Sequence, residues 1–220
     1  MAEMISSNLP DLLSVEGLQT VGMPSATNLQ VQAGQVWMIS GPSGAGKSQT
    51  LKAIADLIPH QGKISFQGQS MQSISPEKWR SQIMYFSAET AWWLDTIIEH
   101  FDTPPDKSQL DAIGLQNSIL QKDPAECSSG EKQRLALLRG LSHSPNILLL
   151  DEITANLDTE ASIKVESLLQ NYLKQRVLDS ELPRAIIWVS HDVAQQQRMA
   201  PSQQQLILKG QSPLSEKVEL

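Results

Sequence analysis

The apolar run Val36-Trp37-Met38-Ile39-Ser40 ends on Gly41-Pro42-Ser43-Gly44-Ala45-Gly46-Lys47-Ser48, and this junction constrains the fold more than any other stretch of the chain. The eight residues match the pattern G-x-x-x-x-G-K-[ST]. Leu51, Ile54, Ala55 and Ile58 then fall on one helical face before Pro59, so the pattern predicts a strand, a glycine-rich loop and a helix over residues 47–58. Glycines let the backbone wrap closely and turn its N–H groups inward, and the helix start adds the positive end of a dipole. Such a cradle, from Gly41 through Gln49, takes phosphates. Lys47 would reach the β- and γ-phosphates of a nucleotide and the Ser48 hydroxyl would ligate Mg²⁺. By itself the loop does not choose among kinases, GTPases and ATPases.

The rest of the chain supplies the matching scaffold. Strands are expected at residues 12–15, 29–31, 36–40, 62–67, 83–86, 147–151, 185–190 and 206–208. Helices are expected at residues 129–141, 159–177 and 192–200, the first opened by a capping serine. Between residues 95 and 122 the pattern turns helical and polar, interrupted by Thr103-Pro104-Pro105, which suggests a small helical lobe. Helices alternating with apolar strands imply an α/β sheet.

Composition removes several function classes. A net charge of -7 and a pI near 5.1 argue against a nucleic-acid surface, which needs a basic face. The single cysteine, Cys127, permits no internal disulfide, reads as a small buried apolar residue, and fits a reducing compartment. No basic n-region followed by an apolar stretch marks a secretory signal. The longest apolar run, residues 147–150, is far below the roughly 20 residues of a membrane helix, so a membrane role would come from a separate chain. The pair Trp92-Trp93 reads as core first and as an interface second.

The strand at residues 147–151 ends in Asp151-Glu152. C-terminal strand ends of a parallel sheet line the ligand crevice, so both carboxylates can face the phosphates. Asp151 suits Mg²⁺, and Glu152 is placed to accept a proton from an attacking water.

The segment Cys127-Ser128-Ser129-Gly130-Glu131-Lys132-Gln133-Arg134, shortly before that strand, resembles the signature of the ATP-binding cassette family, L-S-G-G-Q/E followed by Gln-Arg. Asp151 through Asp158 resembles the family's Walker B strand and D-loop, and Trp188-Val189-Ser190-His191-Asp192 its switch-histidine segment. The resemblance covers nearly the whole chain. It implies a P-loop NTPase (RecA-like) parallel core with an N-terminal antiparallel β subdomain and a small α-helical subdomain at about residues 88–143, within one ATP-binding domain of residues 1–220. It implies ATP and Mg²⁺, and a homodimer formed on ATP binding in which Ser128 and the Gly130 backbone of one copy cap the γ-phosphate held by the other. Glu152, His191 and Lys47 would be catalytic, Asp158 a dimer contact. The partner would be a multi-span membrane permease, the location cytoplasmic on the inner face of the cell membrane. DEIT in place of DEPT, together with the SSGEKQR and WVSHD segments, makes the chain resemble most the FetA-type iron-export branch.

Three departures stand out. Cys127 and Ser129 replace the signature's leucine and first glycine. Ala88 falls where the family carries a glutamine on Mg²⁺; either Glu89 ligates the metal after a one-residue shift, or the metal keeps only Ser48, phosphates and waters. The family's adenine-stacking aromatic is missing, which leaves Met23 as a softer contact. Competing classes are a soluble non-transport cassette ATPase, a weakly active regulatory cassette, and a small-molecule kinase, which would leave the signature unexplained.

Overall fold

The computed structural model describes residues 11–174 and 183–210. Its elements begin with β1 (Leu13–Gln19), β2 (Thr27–Val31), β3 (Val36–Ser40), α1 (Lys47–Ile54), β4 (Gln61–Phe66) and β5 (Gln69–Ser70). Then come α2 (Pro76–Gln82), β6 (Ile83–Phe86), α3 (Lys107–Ala112), α4 (Ser129–Leu141) and β7 (Ile147–Asp151). The last are α5 (Thr159–Lys174), β8 (Ala185–Val189), α6 (Val193–Met199) and β9 (Gln205–Ile207).

Five strands form a parallel sheet in the order β6-β7-β8-β3-β9, and four form an antiparallel sheet in the order β2-β1-β4-β5. The residues explain the division. Every position of β7 and β8 is buried, as strands covered on both faces require. Ile147, Leu149, Ile187 and Val189 pack with Leu51 and Ile54 of α1, whereas Leu148, Leu150, Ile186 and Trp188 pack with Leu137, Val165 and Leu169 of α4 and α5. Each such side chain contributes roughly 1.5–3 kcal/mol of burial. In β2, Thr27, Leu29 and Val31 are buried while Asn28 and Gln30 face solvent, the alternation of a half-covered antiparallel sheet. A third cluster, including Ile97, Phe101, Leu110, Ile113, Leu135 and Leu138, gives the helical lobe its own core. The α/β class, parallel core, antiparallel sheet and helical lobe are as expected.

The differences are local. The first helix stops at Ile54, short of Ile58, because Asp56 takes a left-handed conformation (φ 56). Asp56 N then donates to Ala53 O and Leu57 N to Lys52 O, a Schellman closure made without glycine. Residues 95–122 contain one short α-helix, α3, between 3₁₀ turns at Ile98–His100 and Asn117–Gln121, since Pro104-Pro105 and left-handed Gly114 break any longer helix. Helix α2 was not expected, although Ser75 caps it and Pro76 opens it. Its fully buried Trp79 donates its indole N–H to Ile54 O, satisfying a carbonyl at the end of α1. Residues 175–177 of the expected long helix lie outside the described residues.

Candidate functional site

Parallel pairing brings three strand ends into one row. Asp151 of β7 pairs with Val189 of β8, which pairs with Ile39 of β3, so the residues that follow each strand emerge at one edge of the sheet. Those are the loop from Gly41, the acidic Glu152, and Ser190-His191. Gly44 and Gly46 take left-handed φ values of 77 and 91, and Gly46 caps α1. A Cβ on Gly46 would lie 2.6 Å from Met23 Cγ, and one on Gly41 would lie 2.4 Å from the Leu208 carbonyl oxygen. The loop is thus gripped by chain on both sides. The buried Lys47 ammonium donates to the carbonyls of Gly41 (2.9 Å) and Pro42 (3.0 Å), leaving one of its three N–H donors for a further acceptor.

Ser48 Oγ donates to Asp151 Oδ1 at 3.0 Å, and Tyr85 OH donates to Asp151 Oδ2 at 2.7 Å. The meeting follows from strand periodicity. Asp151 shares a face with Leu149 and Ile147, and Tyr85, paired with Leu149, presents its ring to the same α1-covered core. Burial, and then the bond to Asp151, hold the Tyr85 phenol well above its ordinary pKa. Tyr85 was missed by sequence reasoning; its place two residues before Ser87 on a short strand carried no motif.

Glu152 takes a left-handed φ of 53, strained for a side chain of its kind, with its N–H donating to Val189 O at 3.0 Å. Its carboxylate lies 3.1 Å from His191 Nε2. Both line a crevice of about 450 Å³ together with Thr154, Leu157, Ser190 and Arg198. A buried polar brace stands behind them. Thr154 Oγ1 donates to Gln195 Oε1, Gln195 Nε2 donates to Glu166 Oε1, and Arg198 grips both oxygens of Glu166. The turn after β7 and the helix after His191 are thereby tied to the same residue of α5.

The signature segment is organised differently. Ser128 caps α4: its Oγ accepts from Glu131 N (3.2 Å), and its own N–H donates to Glu131 Oε2 (2.8 Å). That last bond holds the Glu131 carboxyl below the usual range. Two N–H groups of the helix end, those of Ser129 and Gly130, find no protein acceptor among the described residues. A Cβ on Gly130 would lie 3.0 Å from Leu157 Cδ2, so its absence lets α4 close onto the loop after β7. Gln133 Nε2 donates to Ser87 O (3.0 Å), tying α4 to the end of β6. Asp158 caps the start of α5, its Oδ1 accepting from Ala161 N at 2.8 Å.

Several residues lie apart from this centre. Met23 is 6% exposed beneath Gly46, its sulfur 4.0 Å from Thr50 Oγ1, which donates its proton to Gly46 O at 2.9 Å; on the same turn Val21, 95% exposed, is the apolar side chain in solvent. Met23 therefore offers little surface to an adenine, because it packs the loop from below. Glu89 lines a groove of about 420 Å³ beside Trp93, Arg139 and His143, and no hydrogen bond joins it to Ser48 or Asp151 among the described residues. Its side chain lines that groove, apart from the bond between Ser48 and Asp151. Ala88 offers no polar atom. Trp93 is 69% exposed, not core, and the half-buried Arg139 guanidinium lies 4.5 and 5.3 Å from the Trp92 and Trp93 rings. Cys127 is buried, and burial raises its thiol pKa.

The profile of the ABC transporter family matches residues 25–155. A protein of Escherichia coli (strain K12) named "Probable iron export ATP-binding protein FetA" is 36% identical over 177 residues, covering 75% of this chain and 76% of its own. The lipoprotein-releasing system ATP-binding protein LolD of Saccharophagus degradans is 33% identical, over 81% of this chain and 83% of its own. A multidrug resistance ABC transporter ATP-binding and permease protein of Lactococcus lactis is 32% identical over 68% of this chain, which spans 28% of that longer protein. With the loop, the strand-end carboxylates and the capped signature helix in place, the chain belongs to the ABC transporter family, as one of its ATP-binding, ATP-hydrolysing members.

Proposed function

We propose that this chain drives a separate membrane permease, that two copies close head to tail around ATP, and that the cargo is a metal ion, exported. The observation that carries the reading is the asymmetry of the site. Lys47, Ser48, Asp151, Glu152 and His191 converge on one sheet edge, while the N–H groups of Ser129 and Gly130 have no acceptor among the described residues. A second copy supplies the missing half: the α4 end of one subunit caps the γ-phosphate held by the other.

In this reading residues 41–49 wrap the phosphates and Lys47 gives its third N–H to a phosphate oxygen. Ser48 Oγ and Asp151 Oδ1, hard oxygens 3.0 Å apart, suit Mg²⁺, Asp151 through water. Held there, the ion would supply charge neutralisation to the phosphates. Glu152 takes the proton of the water that attacks the γ-phosphorus, and His191 holds that water and the γ-phosphate. ADP and inorganic phosphate leave. The groove beside Trp93 is the permease contact: an exposed indole stacked on a half-buried arginine is a rigid, amphipathic anchor. No helix among the described residues is long and apolar enough to cross a membrane, so attachment at the cytoplasmic face runs through that permease. The name of the FetA relative supports iron as cargo.

Glu152→Gln tests both levels. With ATP and Mg²⁺ it should elute as a dimer on sizing chromatography with turnover lost; a strictly monomeric, ATP-bound variant would refute the head-to-tail site. Cells making the wild type with its permease should retain less iron than cells making this variant, and equal retention would remove iron as cargo.

A further inference from the structure

The Asp151 carboxylate is held from both sides. Ser48 Oγ takes Oδ1 and Tyr85 OH takes Oδ2, the shorter bond of the two, 2.7 against 3.0 Å. These partners have different prospects. Ser48 sits at the start of α1 on the phosphate loop and would also give an oxygen lone pair to a metal, so its position answers to the ligand as well as to the carboxylate. Tyr85 lies on the neighbouring strand, away from the loop, and its hydroxyl has no such competing duty. The ring is fixed independently: it packs into the α1-covered core, with Lys52 Nζ 5.9 Å from its centroid. Asp151 itself is buried, so an unheld oxygen would be left without water to replace the bond.

We propose that Tyr85 is a positioning residue for the metal site: it pins Asp151 Oδ2 so that Oδ1 stays directed toward Ser48 and the divalent cation. Partners behind a metal-facing group typically alter metal affinity about 10- to 100-fold when removed, and a water-mediated contact lies at the low end. At residue 88 the chain offers only a methyl group, so the side-chain oxygen that braces the site from β6 comes from Tyr85. The inference rests on the reading of Asp151 as the carboxylate that faces Mg²⁺.

Tyr85→Phe keeps the ring and deletes the hydroxyl. In this variant the Mg²⁺ concentration for half-maximal ATPase should rise about tenfold. Binding of a fluorescent ATP analogue in EDTA should match the wild type, while its tightening by added Mg²⁺ should shift to higher metal by the same factor. A purely structural tyrosine would lower the melting temperature and leave the metal midpoint in place, and that result would overturn the proposal. Asp151→Asn separates the two levels: if it binds nucleotide with a wild-type Mg²⁺ midpoint, the assignment of Asp151 fails and not the role of Tyr85 alone.

Discussion

The two halves of the proposed ATP site are built by different kinds of bonding. At the sheet edge, functional side chains bond each other across long separations in sequence: Ser48 to Asp151, Tyr85 to Asp151, Glu152 to His191, and Thr154 through Gln195 to Glu166. At the tip of the signature helix the side chains of Ser128 and Glu131 bond within one cap, three residues apart, and the longer ties from Gln133 and Arg134 lie further along α4. The first half is held in place by the whole core and is complete before any ligand arrives. The second is a helix end finished by its own cap, presenting two open N–H groups. A site shared between two copies needs that difference: one surface that grips, and one that can approach and withdraw without dismantling the fold.

The contrast predicts unequal mutational effects. Lys47→Ala removes a buried ammonium that also bonds the Gly41 and Pro42 carbonyls. ATP hydrolysis should fall by on the order of 100-fold or more. A variant with full turnover would show that the gripping half lies elsewhere. Glu166→Ala acts on the brace behind that half. It strands Gln195 and takes the bidentate partner from Arg198, whose side chain is partly exposed, so the cost should be about 2 kcal/mol in urea unfolding. Turnover should drop less than for Lys47→Ala. An unchanged unfolding midpoint would mean that the tie between the turn after β7 and α6 adds nothing to the rigidity of the sheet edge.

Much of the gripping half was legible in the sequence because it is written as contiguous motifs on strands whose own composition identifies them. Val36–Ser40 and Ile147–Asp151 are short apolar runs, and each delivers its motif at its C-terminal end. What was not legible depends on neighbours brought in by folding. Tyr85 reaches Asp151 only through the pairing of β6 with β7, which no spacing reveals. Met23 turns under the loop because Gly46 leaves room for it. Asp56 ends α1 in a conformation usually left to glycine, so the stop carried no signal. Trp93 and its half-buried twin Trp92 both lie against His100 and Arg139, a grouping that no spacing in the sequence reveals.

The smallest expected effect lies in the approaching half, at Glu131. Its carboxyl sits below the ordinary value of 4.5, chiefly because it accepts the Ser128 N–H. A carboxyl depressed on folding adds stability above its unfolded pKa and loses it as pH falls through the folded one. The contribution should therefore be full at neutral pH and fade below about 4.5. Glu131→Gln keeps an acceptor for Ser128 N but removes the charge at the positive end of α4. It should cost about 0.5 kcal/mol at neutral pH, and the gap to the wild type should close as pH is lowered toward 3. Urea unfolding of both proteins across that range is the measurement, and a constant gap would show that the cap carries no charge effect. The same substitution distinguishes the two halves functionally. The carboxylate stands beside the open N–H groups of Ser129 and Gly130, where it repels an incoming phosphate. Its neutralisation should leave ATP binding by one copy unchanged, because Lys47 and the loop are untouched. ATP-driven pairing of two copies should occur at slightly lower nucleotide. A change in monomer ATP affinity instead would place the signature on the same side of the site as the loop, and the contrast between the halves would fail.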